Sequence, residues 1–267
     1  MSSIELARFI RRKSLEMVSQ ANASHIGSAL SIADILAVLY SDVLRVDTQD
    51  PSYEDRDRFI LSKGHATVAL YAALAAKGFI SQDELKTYGE LNSRLMSHVS
   101  HKVPGIEFST GSLGHGLPFG VGKALHAKKQ KKTWKTYVLM SDGELAEGSN
   151  WESYLFARHH SLSNLVAIVD NNNLQSFTTI ANTLNTYPID IKLSAFDWRT
   201  LTINGHDHDD IRNALFLKED SNRPLMIICN TIKGKGVDFM ENKVEWHYKS
   251  PNAVQLKEAI SQLDGAL

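Results

Sequence analysis

The chain has 267 residues and a single cysteine, Cys229, so no internal disulfide can form and a disulfide-stapled fold is excluded. Cys229 lies inside the apolar run PLMIIC and reads as a small core hydrophobe, not a nucleophile. Charge of either sign is not in excess. With 29 basic and 30 acidic residues the formal net charge is −1, which removes the electrostatic case for nucleic acid or an anionic membrane as partner. The basic stretch AKKQKKTWK falls between a helical and a strand pattern and reads as a solvated loop. No apolar run is long enough to span a bilayer. The longest, ATVALYAALAA, stops at Lys77 and reads as a buried helix. A secretory leader pattern is also lacking, and with the lone cysteine this makes a reducing cytoplasm the expected location.

The common phosphate and metal motifs are missing as well. IKGKGV has the wrong spacing for a P-loop, and GSLGHG is not the dinucleotide fingerprint and follows no strand. There is no HExxH. The pair His98 and His101 in HVSH has neither a cysteine nor an acidic ligand beside it, so a zinc site is not expected.

What is present is an ordinary globular composition, 43% hydrophobic and 22% charged, in a chain long enough for a sizeable core. Residues 3–20 read as a helix with Ile4, Ala7, Ile10 and Met17 on one face. A small-residue loop, ANASHIGSAL, leads to a second helix, SIADILAVLYSDVL, with Ser31 and Asp34 as a capping box. SKGHATVALYAALAAKG reads as a helix entered through Gly64 and His65, and SQDELKTYG as one capped by Ser81 with Glu84 three residues on. Residues 91–118 carry no clear element, and loops of that length are usually functional or disordered. FGVGKALHAKK reads as a helix with glycines on its packing face.

From residue 136 the pattern changes to strands alternating with helices. TYVLMS, NLVAIVD, WRTLTI and PLMIIC are strands; NWESYLFARHH, PIDIKLSAF and HDHDDIRNALFLKE are helices, and NAVQLKEAISQL adds one more at the end. The acids of NGHDHDD suit the first turn of the helix at Ile211. Apolar strands alternating with helices predict an α/β fold, a parallel sheet with helices on both faces, and residues 1–267 are expected to form one domain. In such sheets ligands bind beyond the carboxyl ends of strands. Two of those ends are rich in oxygen. TYVL runs into MSDGELAEGSNWE, and LVAIV runs into DNNNLQSF about thirty residues on.

Asp142 and Asn172, with nearby backbone carbonyls, offer oxygen ligands to a hard cation, and one carboxylate with one amide neutralises only part of a 2+ charge. A diphosphate supplies the rest, with Gly143 letting the backbone approach it. For any single Asp or Asn at a strand end a capping or turn role is the ordinary explanation, so the reading rests on the combination.

SDGELAEGSNWES followed by NLVAIVDNNNLQS resembles the thiamine diphosphate signature. ASHIGSALSIADILAVLY, DRDRFILSKGHATVALYAALAAKG, STGSLGHGLPFGVGKAL and TIKGKGVDFMENKVEWH then resemble, in order, the amino-terminal half of transketolase, and in particular the short N-terminal chain of split transketolases. That resemblance implies the thiamine-diphosphate-binding fold and assigns roles. Asp142, Asn172 and the Leu174 carbonyl hold Mg²⁺ or Ca²⁺. Gly143, His65 and His247 meet the diphosphate, with Glu144 beside them. Gly114, His115 and Gly116 lie in the loop toward the thiamine rings. His25, His65, His98 and His247 line the substrate channel and move protons, and Glu147 stands at the dimer interface, linked to the partner's catalytic glutamate.

Ser141, Ser24, Ser28 and His115 depart from the family pattern, and His115 replaces the usual Gln of GSLGQG. The pyrimidine-binding and third domains of full transketolases have no counterpart here. The resemblance therefore implies ketol transfer between sugars or sugar phosphates only with a separate C-terminal subunit, in an α₂β₂ assembly. The alternatives are the α chain of a 2-oxo-acid dehydrogenase E1 and a non-catalytic cofactor-binding protein of the same fold.

Overall fold

The computed structural model of the chain describes residues 1–218 and 222–265. Its centre is a five-stranded parallel sheet in the order β1-β2-β3-β5-β4. The strands are β1 (Arg58–Leu61), β2 (Thr136–Ser141), β3 (Leu165–Asn171), β4 (Arg199–Asn204) and β5 (Leu225–Asn230). β2, β3, β4 and β5 follow the expected segments. β1 is not among the expected strands: four residues, RFIL, following the charged run EDRD give too short a pattern to stand out.

Alternate residues of β1, β2, β3 and β5 feed two separate cores, as the period-2 geometry of a strand requires. Phe59, Leu61, Tyr137, Leu139, Val166, Ile168, Ile227 and Cys229 face one core. Ile60, Val138, Met140, Ala167, Val169, Met226 and Ile228 face the other. The first is closed by α1 (Ser3–Gln20), α2 (Ile26–Ser31), α3 (Ala33–Val38), α4 (Thr67–Lys77), α9 (His208–Leu215) and α10 (Ala253–Gly265). The second is closed by α5 (Gly116–Lys129), α6 (Gly148–His159) and α8 (Ile189–Ala195); the short α7 (Ile180–Thr183) adjoins the β3 exit. Helices thus cover both faces, as expected, and Cys229 is buried core.

Several local expectations need correction. Ile4 is 63% exposed, because in its first turn α1 turns Ser3, Leu6 and Ala7 to the core instead. The box at Ser31 and Asp34 does not cap anything. Ile32 is the N-cap of α3, while Ser31 Oγ donates to Asp170 and Asp34 pairs with Arg11. Both side chains are drawn into buried networks whose partners are remote in sequence, where a charge-assisted bond outweighs a cap. Ser81 does accept from the Glu84 amide, but only one 3₁₀ turn, Glu84–Thr87, follows. α5 begins at Gly116, not after residue 118. Of its glycines, Gly120 packs so tightly on Val138 that a Cβ would overlap it, whereas Gly122 faces open space. The final Glu of HDHDDIRNALFLKE lies outside the described residues.

Candidate active site

The carboxyl ends of β2 and β3 are adjacent in the sheet, with Ser141 opposite Asp170. The two oxygen-rich turns therefore meet. Asp142 Oδ2 accepts from the Asn173 amide at 2.6 Å, and Oδ1 from Gly143 at 2.8 Å. Asn172 donates through Nδ2 to Asp170 Oδ2 at 3.0 Å, which fixes its amide so that Oδ1 accepts from the Leu174 N–H at 3.1 Å.

These turns form one wall of a cleft of about 360 Å³. His25, His65, His98, His247, Asp142, Gly143, Glu147, Asn172 and Leu174 all line it. Of the site residues expected from sequence, Gly114, His115, Gly116 and Glu144 are outside the lining. Glu144 is buried behind it and accepts from Ser62 Oγ, the Gly114 amide and the Ser141 amide. Its role here is to hold the 110s loop against the β2 exit. Gly114 has φ +80°, and a Cβ there would overlap the Glu147 side chain, so this position requires glycine. His115 is exposed, its Nδ1 3.0 Å from the Leu113 carbonyl. His101 is exposed too, and its ring pairs with Ser109 Oγ at 2.7 Å, away from His98.

Four imidazoles make the opposite wall. Ring centroids lie 5.2 Å apart for His25 and His65, 5.8 Å for His25 and His98, and 4.9 Å for His25 and His247. His25 has φ 76°, a costly conformation for a non-glycine residue, and its amide donates to the His247 carbonyl at 2.6 Å. Burial lowers all four, and neighbouring charges add to it for His25, His65 and His247. His25 falls to about 4 and His247 to about 3, His65 falls well below its ordinary value, and His98 is lowered by burial alone. Burial therefore favours the neutral form of each imidazole, which carries one donor and one acceptor nitrogen.

Two buried lysines at the site do not stand out in the sequence. Lys63 forms an ion pair with Asp170 at 2.5 Å, both nearly inaccessible. Lys233 places Nζ 3.0 Å from His247 Nδ1 and donates to the Gln175 carbonyl at 3.0 Å. Burial, with Lys63 adding to it, lowers Lys233 to about 8. The only signal of either is a lysine beside glycine, in SKGH and IKGKG. Gln175 and Tyr248 also line the cleft.

The donor set fits a divalent cation with a diphosphate. Asp142, Asn172 and the Leu174 carbonyl are oxygen donors, the preference of a hard cation. Burial and the Asp170 charge push the Asp142 carboxyl up to about 7, against the weaker pull of two backbone amides and the Lys63 charge. Gln175 Nε2 is buried with no hydrogen-bond partner among the described residues, and the Gln175 side chain lies against Gly143 at the same wall. An unpartnered amide donor beside the Lys233 ammonium makes a wall suited to anionic oxygens.

Fold and site together define an α/β protein with an oxygen-rich cleft at the carboxyl ends of its parallel strands. The family profile for the thiamine diphosphate binding domain of transketolase matches residues 2–263, and the chain belongs to that family. It is 43% identical over 254 residues to one of the subunits of an apulose-4-phosphate transketolase from Phocaeicola vulgatus, covering 95% of this chain and 90% of that one. A 6-deoxy-6-sulfo-D-fructose transketolase subunit of a Clostridium species is 37% identical, covering 97% and 94%. Human transketolase is 36% identical over 97% of this chain but only 41% of its own length. A crystal structure of transketolase from Campylobacter jejuni superimposes with a TM-score of 0.93 at 33% identity, covering 98% of this chain and 42% of that one.

Proposed function

We propose that this chain is the diphosphate-binding subunit of a split, thiamine-diphosphate-dependent transketolase, moving a two-carbon ketol unit from a ketose donor to an aldose acceptor. The observation that carries this is the convergence of four neutral imidazoles on one cleft whose other wall is the Asp142–Asn172 turn pair. Relatives of nearly equal length are themselves named as transketolase subunits, which supports a separate partner chain. That partner supplies the pyrimidine-binding half, in an α₂β₂ assembly with Glu147, exposed at the cleft rim, turned toward it. Residues 1–267 act as one domain. A reducing cytoplasm suits the buried thiol of Cys229.

Asp142, Asn172 and the Leu174 carbonyl hold Mg²⁺ or Ca²⁺. Gly143, His65, His247, Gln175 and Lys233 would hold the diphosphate, and the 114–116 loop with His115 would meet the cofactor rings. When bound, thiamine diphosphate supplies an electron sink for the pair released on C–C cleavage. The protein groups orient the ketose, exclude water and move protons. His25, His65, His98 and His247 are placed to take the hydroxyl proton of the donor as its C2–C3 bond opens and to return one to the product.

Assay of the chain with its pyrimidine-binding partner, offering ketose phosphates and 2-oxo acids in parallel, tests the reading. Ketol transfer is expected; turnover of the 2-oxo acid instead assigns the chain to an E1-type enzyme. Calorimetry with Mg²⁺ and thiamine diphosphate on the same assembly should show binding that Asp142→Ala abolishes. Equal binding by both proteins overturns the metal assignment.

A further inference from the structure

Outside the cleft, a buried polar cluster is centred on Asp34. Arg11 donates to it through Nη1 at 2.9 Å and Nη2 at 2.5 Å, His206 Nδ1 lies 2.7 Å from Oδ2, and His208 Nε2 3.1 Å from Oδ1. The four bonds join α1, α3 and α9. Two of the partners reach further. His206 Nε2 accepts the Ile232 amide at 2.8 Å, and Arg11 Nε donates to the Lys235 carbonyl at 3.1 Å. With Nε2 accepting the Ile232 amide, His206 donates to Asp34 through Nδ1.

Residues 232 and 235 bracket Lys233. This segment leaves β5 and runs past the cleft with few ladder bonds of its own. Its other ties include Gly234 to the Gly27 carbonyl at 3.0 Å, Asn242 to the Lys233 carbonyl at 2.9 Å, two local turn bonds, Lys235 to the Ile232 carbonyl at 3.1 Å and Val237 to the Gly234 carbonyl at 3.3 Å, and a Lys235–Glu241 ion pair at 3.5 Å. Gly234 and Gly236 both have positive φ, so the backbone on this side of Lys233 is conformationally permissive. A lysine side chain is also flexible, yet its Nζ is held between the Gln175 carbonyl and His247 Nδ1.

We propose that Asp34, acting through His206 and Arg11, is a positioning group that clamps the 232–235 backbone and so sets Lys233 against His247 in the cleft. This rests on the cleft being the active site. Asp34 touches neither cofactor nor substrate. Burial opposes its charge, but the Arg11 guanidinium and the two imidazoles hold its carboxyl well below the usual carboxylate range, so the clamp persists across neutral pH.

The test separates the two ends of His206. His206→Asn keeps a donor where Nδ1 stood and loses the acceptor for Ile232; His206→Gln extends an amide to where Nε2 stood and restores an acceptor. In the full chain, hydrogen exchange over residues 231–243 should quicken about tenfold in His206→Asn and return toward wild type in His206→Gln, with β3 unaffected. In the enzyme assembled with its partner, kcat should fall about tenfold in His206→Asn with KM within about twofold. Placed on a Lys233→Met background, His206→Asn should lower kcat less than about twofold further, because the clamp acts through Lys233. Unchanged exchange, or an equal fall in kcat with and without Lys233, overturns the proposal. Should Lys233→Met alone leave ketol transfer untouched, the reading of the cleft fails instead, and the exchange result still judges the clamp.

Discussion

Asp34 and Asp142 are both buried aspartates of the same domain, and their surroundings are opposite. Asp34 has a bidentate arginine and two imidazoles, and its carboxyl is held low. Asp142 has two backbone amides and a second carboxylate nearby, and burial with that charge pushes it up to about 7. A buried charge with a complete set of donors belongs to the scaffold. One left short of positive charge is stored for something that arrives from outside.

Removing charge from each should separate them most. Asp34→Asn strands Arg11 and is expected to cost about 3–5 kcal/mol of stability, read from urea unfolding. Asp142→Asn should cost the cation-free chain less than about 1 kcal/mol. The order reverses for ligand. Asp142→Asn is expected to weaken Mg²⁺ and thiamine diphosphate binding at least about 100-fold, whereas a folded Asp34 variant, which disturbs that wall only through Lys233, is expected to lose less than about tenfold. Comparable losses at the two sites in either measurement erase the distinction.

Acid titration sharpens it. The cleft histidines have folded values below the unfolded value of 6.5, about 4 for His25 and about 3 for His247. The unfolded chain therefore binds more protons below 6.5. Their contribution is complete above that pH and is lost as pH falls toward 4 and then 3. Asp142 has the opposite sign. Its folded value of about 7 lies above the unfolded 3.8, so its contribution is present below 3.8 and lost as pH rises through 7. Asp142→Asn should therefore show a steeper acid loss between pH 6.5 and 4 than the wild type, measured by thermal melts without divalent cation. The smallest effect is a control at neither site. Gly122 sits in α5 facing open space, so Gly122→Ala should raise the stability of the chain by about 0.5–1 kcal/mol.

Much of this contrast is hidden in the sequence. Ser31 and Asp34 look like a capping box because their spacing is right for one, yet the partners that claim them, Asp170 and Arg11, come from other elements. The acids of NGHDHDD do mark a helix start, with Asp207 accepting from the Asp209 and Asp210 amides. The histidines between them give no sign that both turn inward to Asp34. Lys63 and Lys233 escape notice because a lysine is rarely fully buried. Asp142 and Asn172 are legible because a strand end fixes where its next residues emerge, whatever the rest of the chain does.

The sequence by itself determined the layers and the open edge. Apolar runs of strand length alternating with helical patterns admit a parallel sheet covered on both faces, and the polar residues just past β2 and β3 must then share one rim. Tertiary structure alone decided which charges are compensated. That depends on distances between α1, α3, α9 and the segment after β5, set by packing of side chains far apart along the chain, and no local pattern records such distances.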